Sequence, residues 1–251
     1  MTEFSNSLRR LVTSLDSVRH RRDEGLFKAE GTKCVADTID AFGLRHLIAT
    51  DRWMRENPCL AGRVTCVCPE RELGRMSSLK TPQGVIAVYE LPGNDGETMI
   101  AGEPAIALDG LQDPGNLGTI MRVADWFGVH RIVASTDTVD CFSPKVVQAT
   151  MGAVSRVRVH YTSLPEFLSE SGRPVIGTFL DGGNMMAADM PSDAIIVIGN
   201  EGRGISPAVE CCVTHRLTIP SYPPGQTTSE SLNAAVAASV SLALLRRPQL
   251  I

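Results

Sequence analysis

From Glu103 onward, short apolar runs alternate with segments whose apolar residues recur at helical spacing. The strand-like runs are AIALDGL, RIVAST, VRVHY, PVIGTFL, AIIVIGN and HRLTIP. Several are apolar along their whole length, the pattern of strands covered on both faces in a parallel sheet. Between and after them, NLGTIMRVADWFGV, the stretch from Pro144 to Met151, SLPEFLSES, ISPAVECCV and the C-terminal AAVAASVSLALLRR read as helices. This alternation predicts a doubly wound α/β domain whose ligands sit beyond the carboxyl ends of strands.

The first part of the chain reads differently. A basic amphipathic helix is followed by mixed helix and strand signals, among them LRHLIAT, RVTCVCP and GVIAVYE, which predict a small α/β domain. The Gly-, Pro- and acid-rich stretch LPGNDGETMIAG separates the two patterns. The expected organisation is therefore a domain over residues 1–92, a linker over 93–102 and a second domain over 103–251.

Composition narrows the function. A chain of 251 residues with 43% apolar content can build a real core. A net charge of −4 argues against a protein that coats nucleic acid nonspecifically. The acidic excess lies after Ile100, because the residues up to that point carry fourteen basic and fourteen acidic side chains. Within the first part, Arg19, Arg21 and Arg22 flank His20, either as a solvated helix end or as a phosphate contact. Seven cysteines, an odd number without a CxxC pair, fit a reducing cytoplasm, and the five histidines show no zinc spacing, so no metal is expected. No secretory leader or membrane-spanning run is read in the sequence.

Three loops that follow strands hold the candidate chemistry. In LDGLQDPGNLGTIMR, Gly115 and Gly118 open the backbone to a ligand, Asn116 is expected to cap a helix, and Arg122 offers a fork of donors suited to phosphate. In IVIGNEGRGIS, a strand runs into Gly199, Gly202 and Gly204, with Glu201 inside the glycine loop. The order GxxGxG is not that of a dinucleotide fold, which weighs against a nucleotide-dependent oxidoreductase. In IPSYPPGQTTSESLN, prolines rule out regular structure as far as Ser229, and Ser229 or Ser231 is expected to cap the last helix, leaving Asn233 without a structural role.

In this order, NLGTIMR, VIGNEGRGIS and IP…SESLNAAVAAS resemble the three motifs of the SpoU/TrmH family of RNA ribose 2′-O-methyltransferases. HRRDEGLFKAEGTK and LKTPQGVIAV are similar to the family's N-terminal substrate-binding domain, which has the fold of a ribosomal protein. The resemblance implies a deep trefoil knot in the second domain, S-adenosylmethionine as cofactor, a homodimer that completes each active site, and ribosomal or transfer RNA as partner. It implies catalytic roles for Arg122, Asn116, Glu201, Ser231 and Asn233, with Arg122 acting at the 2′-hydroxyl and Glu201 orienting Arg122 or the ribose. Cofactor contacts fall on Thr178, Gly199, Asn200, Gly202, Ile219, Pro220 and Leu232, and RNA contacts on Arg19, Arg21, Arg22, Lys80 and Arg122. An arginine side chain stays charged at neutral pH, so Arg122 is expected to bind the adjacent phosphate and stabilise a developing alkoxide rather than act as a base. The segment from Tyr222 to Thr228 is longer than the family's usual interval. The alternative reading is an RNA-binding protein of the same fold with little or no catalysis.

Overall fold

The structure is a computed structural model that describes residues 4–93, 100, 102–223, 226 and 229–250. Most of the expected linker and of the Tyr222–Thr228 segment lies outside the described residues. The chain divides into two compact units, one of Met1–Asp95 with Asp140–Ser155 and one of Gly96–Val139 with Arg156–Ile251.

The first unit opens with α1 (Asn6–Ser14) and α2 (Val18–Glu24), followed by β1 (Leu26–Glu30), α3 (Thr32–Thr38), β2 (Leu44–Ala49), α4 (Asp51–Glu56), α5 (Pro58–Ala61), β3 (Cys66–Val67), α6 (Glu70–Met76) and β4 (Val85–Glu90). Its sheet has the order β1-β4-β2-β3. The expected strand RVTCVCP shrinks to the two residues of β3, which pair with Ile48 and Ala49. On one side of the sheet, Leu8, Val12 and Leu15 pack with Ile48, Leu73, Met76 and Ile86. Burying this apolar face is what turns the amphipathic opening segment into a docked helix.

The second unit holds β5 (Ala105–Leu108), α7 (Pro114–Trp126) and β6 (Arg131–Ser135) before the chain enters the first unit with α8 (Pro144–Thr150). It resumes with β7 (Arg158–Thr162), α9 (Leu164–Glu170), β8 (Val175–Asn184), β9 (Ile195–Ile198), α10 (Pro207–Glu210), β10 (His215–Thr218) and α11 (Ala234–Leu250). The sheet runs β10-β8-β9-β5-β6-β7, with every pair parallel. Strands β5 and β9 are buried at every position, as their unbroken apolar runs predict. Strand order reverses between them, which opens a crevice beyond Leu108 and Ile198.

The segment 140–155 packs with the first unit, although its place in the chain put it in the second. Phe142 stacks against Phe27 with ring centroids 4.6 Å apart, and Asp140 pairs with Arg21 at 2.6 Å. The same contact corrects the expectation for Arg21. Its side chain is only 3% exposed, and its guanidinium is turned inward to Asp140 and the carbonyls of Leu15 and Asp16, which places it away from solvent rather than at an RNA surface. Arg19, Arg22 and Lys80 are exposed. Arg19 sits 3.5 Å from Asp23 on the next turn of α2.

Candidate functional site

The crevice at the strand reversal is built from three loops. The loop after β5 carries Asp109 and Gly110. Asp109 is nearly buried, and its carboxylate accepts the N–H of Ser206 at 2.6 Å, binding this loop to the one after β9. Gly110 adopts φ +68°, a left-handed conformation that glycine takes without strain, and its N–H donates to Ser135 Oγ at 2.8 Å.

The loop after β9 closes into a ring. Asn200 and Gly204 exchange both backbone hydrogen bonds at 2.9 Å, and Asn200 Oδ1 accepts the N–H groups of Gly202 and Arg203 at 2.9 and 3.0 Å. Asn200 Nδ2 donates to Gly110 O at 2.6 Å. The side chain and both backbone groups of Asn200 are thus spent on shaping the loop. At Gly199 an added Cβ would stand 2.3 Å from the carbonyl carbon of Gly204, so the ring closes only on glycine.

The third loop leads into α11. Here Asn233 is the cap. Its Oδ1 accepts the N–H of Ala235 at 2.9 Å and of Val236 at 3.3 Å, so the helix starts at Ala234 rather than at either serine. Asn116 does not cap α7. Asp113 does, accepting Asn116 N–H at 2.8 Å, because Pro114 takes the first helical position, where no donor is needed.

With capping assigned elsewhere, the amide of Asn116 is free for a chain of hydrogen bonds. Its Nδ2 donates to Glu201 Oε1 at 3.0 Å, and its Oδ1 accepts from Asn233 Nδ2 at 2.9 Å. Glu201 also receives the N–H groups of Asp113 and Gln112, at 3.2 and 3.4 Å. Partial burial works against ionisation of Glu201, but hydrogen bonds from Asn116 and from the N–H groups of Glu201, Asp113 and Gln112 outweigh it and hold its carboxyl below the ordinary carboxylate value.

Beside this chain lies a cavity of about 440 Å³. Thr178, Gly199, Asn200, Glu201, Gly202, Ile219, Ser231 and Leu232, all singled out in the sequence, line it together. Apolar Ile198, Ile219, Leu232 and Ala237 face loop backbone across it, a mixture suited to a small organic ligand with one flat apolar part. Pro220 is exposed and is not among the lining residues, being one step past the wall that Thr218 and Ile219 form. Sequence reasoning missed Phe179 and Arg203, which also line the cavity. Phe179 is fixed under the Arg216 guanidinium, 3.6 Å from its ring centroid, and lies over Gly177, where a Cβ would stand 2.4 Å from the ring.

Arg122 does not line this cavity. It is exposed on α7 and lines a separate hollow of about 300 Å³ with Thr119, Val123, Trp126, Phe127 and Ser239. Among the described residues no hydrogen bond joins it to Glu201, whose carboxylate instead receives groups of the first turn of α7. Trp126, one turn further on, is 85% exposed. Among the described residues there is no group of His, Cys, Asp and Glu that would hold a metal ion, and no helix long and apolar enough to cross a membrane.

Comparison with known proteins places this geometry. Residues 103–243 match the model of the SpoU rRNA methylase family, and residues 6–87 match an MRM3-like substrate-binding domain. An uncharacterized tRNA/rRNA methyltransferase of Synechocystis is 31% identical, covering 99% of this chain and 94% of its own. The 23S rRNA guanosine 2′-O-methyltransferase RlmP of Bacillus subtilis is 29% identical over 92% of this chain and 93% of its own. Among solved structures, a TrmH-family protein of Porphyromonas gingivalis superposes with TM-score 0.86 at 37% identity, covering 98% of this chain and 99% of its own. The AdoMet-bound rRNA methyltransferase of Sinorhizobium meliloti superposes with TM-score 0.86 at 27% identity, covering 100% and 99%.

Proposed function

Because this chain belongs to the SpoU rRNA methylase family, we propose that it transfers a methyl group from S-adenosylmethionine to a ribose 2′-hydroxyl of a structured ribosomal or transfer RNA. The observation that carries the reading is one cavity lined by the loop after β9 and by the segment leading into α11, with Glu201 on its wall tied through Asn116 of the first loop to Asn233. Similarity to a 2′-O-methyltransferase and to an AdoMet-bound structure over nearly the whole chain supports it.

The residues present fit the cofactor. A cavity of about 440 Å³ falls in the range of small-ligand sites, roughly 300–1,000 Å³. Ile198, Ile219 and Leu232 would give an adenine ring an apolar seat, and the loop from Gly199 to Gly204 lets a ligand approach its backbone at Gly202, where a Cβ would meet nothing nearer than Asn200 Oδ1 at 3.7 Å. When bound, the sulfonium supplies an electrophilic methyl group. What remains for the protein is to align the ribose oxygen, to leave its hydroxyl proton a way out to solvent water and to stabilise the charge the oxygen develops.

Asn116 and Asn233 do the first. Their amides are fixed at both ends, by the Glu201 carboxylate that lines the cavity and by the start of α11, so they hold one orientation beside it. Ser231 lines the cavity itself. Arg122 does the last, keeping its charge, binding the adjacent phosphate and stabilising the alkoxide. Because Arg122 lies outside the cavity of its own chain, the reading requires a homodimer in which one protomer presents Arg122 to its partner's cavity. The 85% exposure of Trp126 beside it supports an interface there. The proposal includes the family's trefoil knot, with the chain leading into α11 as the threaded segment, and a cytoplasmic setting.

Titration with S-adenosylmethionine and with NAD separately tests the cofactor assignment, and Arg122→Ala tests the role of the guanidinium. The variant is expected to keep cofactor affinity while transfer falls about 100- to 1,000-fold. Wild-type turnover in Arg122→Ala would remove this residue from the mechanism.

A further inference from the structure

The first unit contains a cavity of about 410 Å³ that none of the residues assigned above lines. The buried Trp53 and Leu73 line it together with exposed Pro82, and Arg52, Glu56, Glu70 and Gln83 supply its polar groups.

The cavity is built by specific contacts. Gly84 holds φ +78°, and a Cβ there would lie 3.1 Å from Trp53 Cβ and 3.2 Å from Thr50 Oγ1, so the turn closes on the tryptophan only as glycine. Thr50 N–H donates to Gly84 O at 3.0 Å, and the Trp53 indole N–H donates to Thr32 Oγ1 at 2.7 Å, which fixes the ring as a wall. The other end of the same segment is anchored by buried charge. Lys28, fully buried, donates to Met76 O at 2.9 Å and pairs with Glu30 at 3.3 Å. Glu30 in turn accepts the N–H of Ser78 at 2.9 Å and the hydroxyl of Ser77. Residues 77–84 are therefore held at both ends.

The polar groups at the edge are unequally engaged. Arg52 pairs with Glu56 at 2.8 Å, and Glu72 is shared by Arg9 and Arg75. Glu70 makes no hydrogen bond or ion pair with a described residue, nor does the carboxamide of Gln83, which lies against Gly31. A rigid apolar slot thus ends in a carboxylate and an amide with hydrogen-bonding capacity to spare.

We propose that this cavity takes an unpaired guanine base of the RNA substrate, an inference that rests on the RNA reading given above. Guanine alone among the four bases sets two N–H donors side by side on its Watson–Crick edge, the complement of the two oxygens of Glu70. Its adjacent carbonyl accepts from the Gln83 amide. One face of the base lies along exposed Pro82, and Arg52 reaches the flanking phosphate. Adenine, cytosine and uracil each place an acceptor where the second donor is needed.

The test uses the full-length protein and fluorescein-labelled single-stranded hexanucleotides of one frame with GG, AA, CC or UU at the centre, read by anisotropy at one fixed salt concentration. The GG sequence is expected to bind at least about tenfold more tightly than the others, one well-formed base contact being worth about 1–3 kcal/mol. Glu70→Gln is expected to abolish that preference, and Arg52→Ala to weaken all four sequences alike. Equal affinities, no binding of any sequence, or a preference that survives Glu70→Gln overturns the inference. Calorimetric titration of the same preparations with S-adenosylmethionine separates the two levels. Cofactor binding without base preference removes the guanine site and leaves the methyl-transfer reading standing, whereas absence of cofactor binding removes that reading and this inference with it.

Discussion

Asn233 donates from Nδ2 to Asn116 Oδ1 at 2.9 Å, joining two loops whose residues are 117 positions apart in the chain. Each amide has only one orientation that satisfies its neighbours. Glu201 accepts from Asn116 Nδ2, which leaves Asn116 Oδ1 to face Asn233, and Asn233 Oδ1 is already committed to the start of α11. A carboxylate at one end and a helix N-terminus at the other therefore set the direction of both side chains.

This double duty of Asn233 can be taken apart. Asn233→Ala loses both cap and donor, and is expected to cost about 1 kcal/mol in urea denaturation. Asn233→Ser keeps a cap oxygen but has no amide to reach Asn116. Its stability should stay close to that of the natural protein, while methyl transfer falls about a hundredfold through misalignment of the acceptor.

Two glycines of the same loop should respond in opposite ways. Gly199→Ala places a Cβ 2.4 Å from Ile205 N, with backbone on every side, and is expected to lose about 1–3 kcal/mol together with cofactor affinity. At Gly202 the nearest atom to a Cβ is Asn200 Oδ1 at 3.7 Å, so Gly202→Ala should fold within about 0.5 kcal/mol of the natural protein. Thermal melting with and without S-adenosylmethionine reads both.

Glu201 links the site to pH. Its folded pKa lies below the ordinary carboxylate value, so its contribution to stability is fully present above the unfolded pKa and is lost as pH falls through the folded one. Glu201→Gln should accordingly be less stable than the natural protein at neutral pH, and the gap should narrow in acid. Denaturant midpoints for the pair, followed from pH 7 down through the carboxylate range, check the sign.

The Arg21–Asp140 pair makes a prediction about architecture. Arg21→Met leaves the half-buried Asp140 carboxylate and the carbonyls of Leu15 and Asp16 without their partner and is expected to destabilise the protein by about 1–3 kcal/mol. The double variant Arg21→Met, Asp140→Leu should recover part of that loss. Exposed Arg22→Ala, by contrast, should leave the denaturation midpoint unchanged and weaken RNA binding.

The contrast between these two arginines shows what the sequence carries. Its repeating patterns place the strands AIAL and IIVI, because a strand buried on both faces must be apolar throughout, whereas eight of the cavity's lining residues are singled out with the help of the resemblance of the motifs to the SpoU/TrmH family. The local chemistry of caps was misjudged at Asn116 and Asn233. Asp113 caps α7 and Pro114 takes its first position, and Asn233 serves both as the cap of α11 and as the donor of the cross-loop bond. Arg21 and the 140–155 segment were beyond reach for a different reason. Nothing local in HRRDE or CFSPK signals that Phe142 will stack on Phe27 or that Asp140 will meet one arginine of three, since those contacts join residues more than a hundred positions apart. Arg122 was legible as a functional type but not as a residue outside its own chain's cavity.

The central claim is that the three loops aim a methyl donor at a sugar oxygen. It is tested most directly by incubating the protein with S-adenosylmethionine labelled in the methyl group and ribosomal or transfer RNA from cells lacking the gene, then hydrolysing the RNA in alkali. Methylation of a ribose 2′-oxygen blocks cleavage at the next phosphate, so the label is expected in alkali-resistant dinucleotides. Label recovered in mononucleotides carrying a methylated base would contradict the account.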